Sequence, residues 1–313
     1  MKPLHTKYRP KEFSEIIGNK QTVSCIESML KKEGHPTVFL LVGKPGCGKT
    51  TLARIIAKNV KCSKHSLLEI NAADDRGIET GRAIIQMIKT KPLFGKSRCI
   101  IIDEAQRMTR DLQESLLKAL EEPPEGVYFV LCTTDPQKII TTIKDQRCSE
   151  FELNPLKDEE IKSLLQDVCK KEKLKVSEEA LDYVVEFVEG IPRRALTSLN
   201  KVIHLKDQSL KAVKKLLAKE EGLKQAIDLC RAIISRKQWT DVRNILKDIL
   251  KDSRNDNLEQ IRQMILGYVS SVALNSNVPN KRAMLIYECF KEPFYTAGKA
   301  HLTFACLYCL VQK

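Results

Sequence analysis

A chain of 313 residues that is 42% hydrophobic and 30% charged is an ordinary globular protein, with apolar content for two or three domains. Lys and Arg number 53 against 40 Asp and Glu, a formal net charge of +13, which either attracts a polyanion such as nucleic acid or is a generic basic surface. No apolar run approaches the roughly 20 residues of a membrane-spanning helix, and the charged start "MKPLHTKYRPKEFSEIIG" lacks the apolar core of a secretory signal, so the cytosol or its equivalent is expected.

Through the first half, short apolar runs alternate with helical patterns. "TVFLLVG" reads as a strand ending in a Gly-rich loop, and "TTLARIIAKNV" carries apolar residues at helical spacing. "SLLEINA" and "SRCIIIDEA" read as buried strands, with the helix "IETGRAIIQMIKT" between them. "DLQESLLKALEE" is a helix stopped by Pro123 and Pro124, and the strands "GVYFVLCTTD" and "SEFELNPL" follow. Strict alternation predicts a parallel sheet with helices on both faces. After Pro155 come amphipathic helices, "LKDEEIKSLLQDVCKKEKL", "SEEALDYVVEFVEG" and "RRALTSLNKVIHL", the first two opened by Asp158 and Ser177 as caps. From residue 220 onward "LKQAIDLCRAIISRK", "TDVRNILKDILK", "LEQIRQMILGYVSSVALN" and "KRAMLIYECF" predict a helical bundle, with "KDSRNDN" as a polar turn or linker. The eleven cysteines are scattered singly, as in a reducing compartment. The one CxxC, Cys306 and Cys309, has no second pair to complete a zinc site and is expected to pack on a helix face.

Gly43-Lys-Pro-Gly-Cys-Gly48-Lys49-Thr50 has Walker A spacing and stands between a predicted strand and a predicted helix. Its glycines let backbone N–H groups wrap phosphates, Lys49 offers a charge to the β and γ oxygens, and the Thr50 hydroxyl reaches Mg²⁺. In "IIIDEAQ" the apolar run Cys99 to Ile102 carries Asp103 and Glu104 to the carboxyl end of a strand, where ligands of open α/β sheets bind. Asp103 then suits the magnesium, and Glu104 suits orienting or deprotonating an attacking water. On its own such a pair is also a plain strand end before a helix cap. Together the two motifs predict ATP hydrolysis. Arg147 in "IKDQRCSEF" and Arg193 in "GIPRRAL" stand, from the residues alone, as either surface or ion-pair residues, with Arg193 so placed that it can fold over a nucleotide.

"KYRP" with "IIGN" downstream, the Walker A loop, "NAADDRGIE", "IIIDEAQRMT", "TTDPQK", "QRC" and "GIPRRAL" occur in one order across residues 6 to 200. In this the chain resembles the AAA+ sliding-clamp loaders, among them the small subunits of replication factor C and the bacterial gamma/tau subunit. The resemblance implies a RecA-like AAA+ ATPase domain over 1–153, a helical lid over 154–217 and a helical collar for oligomerisation over 218–313. It implies ATP and Mg²⁺ as cofactors, with Tyr8, Arg9, Pro10, Ile17 and Gly18 bordering the adenine and Gly43, Pro45, Gly46, Cys47, Gly48, Lys49, Thr50 and Thr51 around the phosphates. Thr134 takes the sensor 1 position, Arg193 that of sensor 2, and Arg147 that of an arginine finger serving the neighbouring subunit's site. Gln146 stands where the family carries Ser. "NAADDRGIE" is similar to the archaeal and eukaryotic form and "LLKALEEPPEGVYFVLCTTDPQK" to the bacterial one, a mosaic that suits a phage, viral or divergent archaeal origin, and so a cytoplasmic, nuclear or host-cytoplasmic location.

The partners implied are other clamp-loader subunits in a pentameric assembly, a ring-shaped sliding clamp and primer-template DNA. Family contacts to DNA map onto Arg76, Arg82, Arg107 and Arg110, which otherwise are residues of solvated helix faces; Arg76 is also where DNA binding would be communicated to Glu104. The clamp contact maps onto Leu93 and Phe94 in "QMIKTKPLFGKS", which could equally pack on their own sheet. Two competing readings are an AAA+ branch-migration helicase, which would need a winged-helix third domain with strands, and a scaffold subunit that does not hydrolyse ATP.

Overall fold

The structure is a computed structural model that describes residues 2–92, 95–205, 207–251, 255–276, 278–294 and 298–312, with backbone alone at 146–147, 218–224, 251, 255–257 and 260. The chain divides into two compact units, Met1–Leu210 and Lys211–Lys313.

The first unit holds five parallel strands, β1 (Val38–Gly43), β2 (Cys62–Asn71), β3 (Ser97–Asp103), β4 (Val127–Thr133) and β5 (Ser149–Leu153), in the order β2-β3-β4-β1-β5. Its helices are α1 (Leu4–Lys7), α2 (Lys20–Leu30), α3 (Lys49–Asn59), α4 (Ile78–Ile88), α5 (Arg110–Glu121), α6 (Thr141–Arg147), α7 (Asp158–Glu172), α8 (Glu178–Val188) and α9 (Pro192–Val202). Successive strand residues point to opposite faces, and in the central strands β1, β3 and β4 both faces are buried, so these read as apolar runs, whereas the edge strands β2 and β5 carry exposed polar residues. Leu40, Ile100, Ile102, Phe129 and Leu131 pack on one side with Ile84 of α4 and Leu112 and Leu116 of α5. Phe39, Leu41, Cys99, Ile101, Val130 and Cys132 pack on the other with Ile26 of α2 and Leu52, Ile55 and Ile56 of α3. The expected doubly covered α/β module is therefore present.

Strand order decides where chemistry can occur. The carboxyl ends of β3, β4 and β1 lie side by side, so Asp103, Thr133 and Gly43, far apart in sequence, finish on one rim. At the outer edge, Asn19 exchanges hydrogen bonds with the backbone of Asn154 (2.9 and 2.8 Å) and the Thr22 hydroxyl donates to the Glu152 carbonyl at 3.1 Å, closing the free side of β5. Gln113 of α5, 3% exposed, donates to the Met108 and Lys138 carbonyls and accepts from the Ile140 N–H at 2.8 Å, which ties the start of α5 to the segment leading into α6.

Of the two expected caps, one is corrected and one is present. Asp158 is the first helical residue of α7 and not its cap; Lys157, in extended conformation, takes the cap position, with its N–H donating to Glu160 Oε2 at 2.9 Å. Asp158 instead adds negative charge to the first turn, where the helix dipole favours it. Ser177 does cap α8, accepting from the Ala180 N–H.

The second unit contains α10 (Leu210–Ile234), α11 (Trp239–Lys251), α12 (Asn255–Leu274), α13 (Lys281–Phe290) and α14 (Gly298–Val311). Helix α10 begins well before the expected start near residue 220 and runs unbroken through residue 217, where the sequence reading ended the lid. A single apolar core joins these helices, from Leu229 and Ile233 through Ile265 and Phe290 to Leu302. Arg262, almost wholly buried, is held by Glu259 and by the Phe290 and Lys291 carbonyls. Cys306 and Cys309 are fully buried in this core and burial pushes the Cys306 thiol up, so both behave as small apolar side chains. Among the described residues no cluster of metal-ligating side chains occurs and no helix is long and apolar enough to cross a membrane.

Candidate functional site

The loop between β1 and α3 is shaped by what its glycines permit. Gly46 has φ +84°, and a Cβ there would stand 2.8 Å from Ile191 Cγ2 and 3.2 Å from Arg193 Cβ. The residue is thus glycine twice over, for left-handed backbone and for the close approach of the α9 start. Gly48, also left-handed at φ 104°, is the residue from which α3 springs, so the first turn of α3, with its unpaired N–H groups, opens directly from the loop. Gly46→Val should distort the loop. Strained backbone costs about 1–3 kcal/mol and about 1.4 kcal/mol is tenfold in affinity, so the expected outcome is a loss of nucleotide affinity of about tenfold or more, read by titration with a fluorescent nucleotide.

Lys49 is 6% exposed and its ammonium donates to the Gly43 carbonyl at 2.8 Å and the Lys44 carbonyl at 3.1 Å. The Thr50 hydroxyl donates to Asp103 Oδ2 at 2.7 Å, while Asp103 Oδ1 accepts the Glu104 N–H at 3.0 Å. Hydroxyl and carboxylate oxygens side by side are hard donors of the kind that hold Mg²⁺. Glu104 itself adopts left-handed backbone, φ 53°. Its Oε2 accepts from Gln106 Nε2 at 2.5 Å, and the same nitrogen donates to Thr134 Oγ1 at 2.9 Å.

A cavity of about 230 Å³ opens over these groups. Of the residues expected at a nucleotide, Tyr8, Arg9, Pro10, Ile17, Pro45, Gly46, Cys47, Gly48, Lys49, Thr50, Thr51, Asp103, Glu104 and Arg193 all line it. Gly43 closes the end of β1 beneath Lys49. Gly18 is buried behind the wall, at φ +68°, and a Cβ there would overlap Leu156 at 2.2 Å. Thr134 does not line the cavity but joins it through Gln106. Sequence reading missed His5, Leu164 and Leu196, which also line it; the two leucines show only as part of the apolar stripes of α7 and α9. Tyr8 is anchored by a hydrogen bond from its hydroxyl to Glu172 Oε1 at 2.6 Å, where Lys7 also donates at 2.5 Å. Cys47 is 6% exposed and sits with the α2–α3 core; burial pushes its thiol up, against a smaller opposing effect of Lys49 and Lys44, so it is an uncharged plug under the loop.

The four expected DNA-contacting arginines are all exposed. Arg76 precedes α4 and its carbonyl accepts from both the N–H and the hydroxyl of Thr109, the cap of α5, at 3.0 and 2.9 Å. That bond brings the starts of the two helices together. Among the described residues Arg76 and Arg107 make no ion pair, whereas Arg82 pairs with Glu79 and Arg110 with Glu114. Leu93 and Phe94 lie outside the described residues, and Arg147 is described by its backbone alone, as the last residue of α6.

A family model described as DNA polymerase III, delta subunit, matches residues 69–157. The chain is 31% identical over 266 residues to the replication factor C small subunit of Staphylothermus marinus, a match covering 84% of this chain and 75% of that one. It is 34% identical over 228 residues to DNA polymerase III subunit gamma of Buchnera aphidicola, covering 66% of this chain and 62% of that subunit's length. In fold it is similar to the RuvB Holliday junction branch migration motor of Thermotoga maritima, with a TM-score of 0.58 at 20% identity over 72% of this chain and 79% of that one. Identity of this extent, over most of both chains, means that the chain belongs to the AAA+ clamp-loader family of the replication factor C small subunits.

Proposed function

We propose that the chain is an ATPase subunit of a DNA sliding-clamp loader, in which ATP binding drives clamp opening and grip on primer-template DNA, and DNA-stimulated hydrolysis releases the closed clamp. The observation that carries the reading is the Thr50–Asp103 hydrogen bond with Glu104 beside it, because phosphate loop, metal-ligand oxygens and a carboxylate base then converge on one rim. Lys49 binds the phosphates, and Thr50 and Asp103 would hold Mg²⁺, which when bound neutralises charge on the phosphate oxygens. Glu104 takes a proton from the attacking water as its oxygen bonds to the γ-phosphorus and the bond from that phosphorus to the β–γ bridging oxygen breaks. Tyr8, Arg9, Pro10 and Ile17 border the base with Gly18 behind them, Arg193 senses the γ-phosphate with Thr134 linked to the site through Gln106 and Glu104, and Arg147 completes a neighbour's site.

Residues 1–153 act as the ATPase module, 154–217 as the lid and 218–313 as the collar of a pentameric assembly with other clamp-loader subunits. The exposed Phe304, Tyr308 and Val311, one helical face of α14, support association through the collar. Among the described residues no cysteine is in a disulfide, which supports a reducing compartment, cytoplasmic or nuclear. Leu93 and Phe94 are the proposed clamp anchors. A branch-migration helicase is disfavoured because, among the described residues, no strand follows Leu153, and a scaffold without hydrolysis is disfavoured by the complete set Lys49, Thr50, Asp103 and Glu104.

Arg76, Arg82, Arg107 and Arg110 contact phosphates without reading bases, which suits junctions of any sequence. The route from DNA to the base is short: Ala72 N–H donates to the Asp103 carbonyl at 2.9 Å, four residues before Arg76. Arg76→Ala is therefore expected to abolish most of the stimulation of ATPase by primer-template DNA and to leave ATP affinity unchanged. Phosphate release with and without DNA measures it, and full stimulation in the variant would sink the proposed link.

A further inference from the structure

We propose that Gln106 is a positioning residue for ATP hydrolysis, a role that rests on the function proposed above: it fixes the Glu104 carboxylate and couples it to the end of β4. Gln106 Oε1 accepts from the Thr133 hydroxyl at 2.9 Å and from the Thr134 N–H at 3.3 Å. A backbone N–H can only donate, so the oxygen must face β4 and the amide cannot be turned over. Its nitrogen is thereby aimed at Glu104 Oε2 (2.5 Å) and Thr134 Oγ1 (2.9 Å). Every polar atom of this side chain is engaged, and all four contacts lie between the carboxyl ends of β3 and β4.

Glu104 needs such a partner. Its backbone is left-handed at φ 53°, a conformation that persists in a glutamate only when its surroundings determine it. Its side chain has three rotatable bonds, and a base that must meet one water cannot be left to sample them. The α5 cap and the backbone bond to Asp103 hold the main chain of this segment; Gln106 alone, among the hydrogen bonds described for the Glu104 carboxylate, holds the reacting end. Because the same amide grips Thr133 and Thr134, a displacement of β4's end against β3 would move the carboxylate with it.

The consequence is a specific split in the kinetics. The full chain, with Mg²⁺ and ATP, is assayed for phosphate release, with affinity for a fluorescent ATP analogue and melting temperature measured in parallel. Gln106→Leu, which removes both donor and acceptor, is expected to lower kcat about tenfold or more, as loss of alignment does, with KM and analogue affinity unchanged. Gln106→Glu keeps the acceptor for the Thr133 hydroxyl and the Thr134 N–H and replaces only the nitrogen that donates to Glu104 and the Thr134 hydroxyl, so it is expected to lose kcat likewise and decides the matter if the leucine variant fails to fold. In single turnover on a Glu104→Gln background, Gln106→Leu is expected to cause no further loss, since the group it positions no longer acts as a base. Normal kcat in Gln106→Glu overturns the proposal. An equal fold loss in both backgrounds, or a loss of analogue affinity that follows a lower melting temperature, assigns a merely structural role and overturns it too. A wild-type chain whose turnover is insensitive to Glu104→Gln instead overturns the hydrolytic reading itself, so the two failures are separable.

Discussion

Substitution of Arg147 by alanine is expected to lower ATP turnover of the assembled protein about 10³- to 10⁵-fold, the range over which an arginine finger acts, without changing the ATP affinity of the chain that carries it. The reason is the direction of the strands. β5 runs parallel to β1, with Ser149 opposite Phe39 and Leu153 opposite Gly43. The phosphate loop leaves the carboxyl end of β1, whereas Arg147 precedes the amino end of β5. The four residue steps of β5 between those levels span about 13 Å at about 3.3 Å per residue, and the loop lies beyond that, farther than an arginine side chain extends. Arg147 is thus on the wrong end of the sheet for its own phosphates, which is what the proposed role at a neighbour's site requires. Two measurements follow from that placement. Wild-type turnover per chain should rise with chain concentration, and mixing Arg147→Ala copies with Lys49→Ala copies should restore activity, since one supplies the intact loop and the other the arginine. Turnover that is high and independent of concentration would remove the case for a shared site.

Glu104→Gln should abolish steady-state turnover, by about 10²- to 10⁴-fold as expected for loss of a general base, while ATP affinity stays within about twofold of wild type, since the glutamine changes no phosphate ligand. The substitution is nearly isosteric, and its amide oxygen still accepts the hydrogen bond that Gln106 donates at 2.5 Å, so the local frame is kept. Phosphate release and analogue titration on the same preparation give both numbers. Retained hydrolysis would mean that Glu104 is only a strand end.

What could be read in advance was the chemistry confined to short contiguous motifs. Lys49, Thr50, Asp103 and Glu104 were legible because phosphate binding and metal ligation demand particular residue types at particular spacings, and the apolar runs of β1, β3 and β4 were legible because strands buried on both faces leave few polar positions. Gln106 was not, although it stood inside the quoted "IIIDEAQ", because its partners Thr133 and Thr134 meet it only once β3 and β4 pair. Leu164 and Leu196 look like any core residues of α7 and α9; only the meeting of those helices with the phosphate loop turns them toward a cavity. Helix α10 was begun too late because its charge-rich first turns carry a weak apolar stripe. The cap of α7 was misplaced by one residue because Asp is the better cap by type, while the extended backbone falls on Lys157.

The Lys49 ammonium already gives hydrogen bonds to two carbonyls of its own loop, and with the residue 6% exposed most of its contact with solvent is given up on folding. The cost of drying that charge therefore falls on folding, and an incoming phosphate merely exchanges one set of oxygen acceptors for another. The loop accepts a less stable fold in return for a nucleotide site that is ready in advance, a stability–function trade-off concentrated in one side chain.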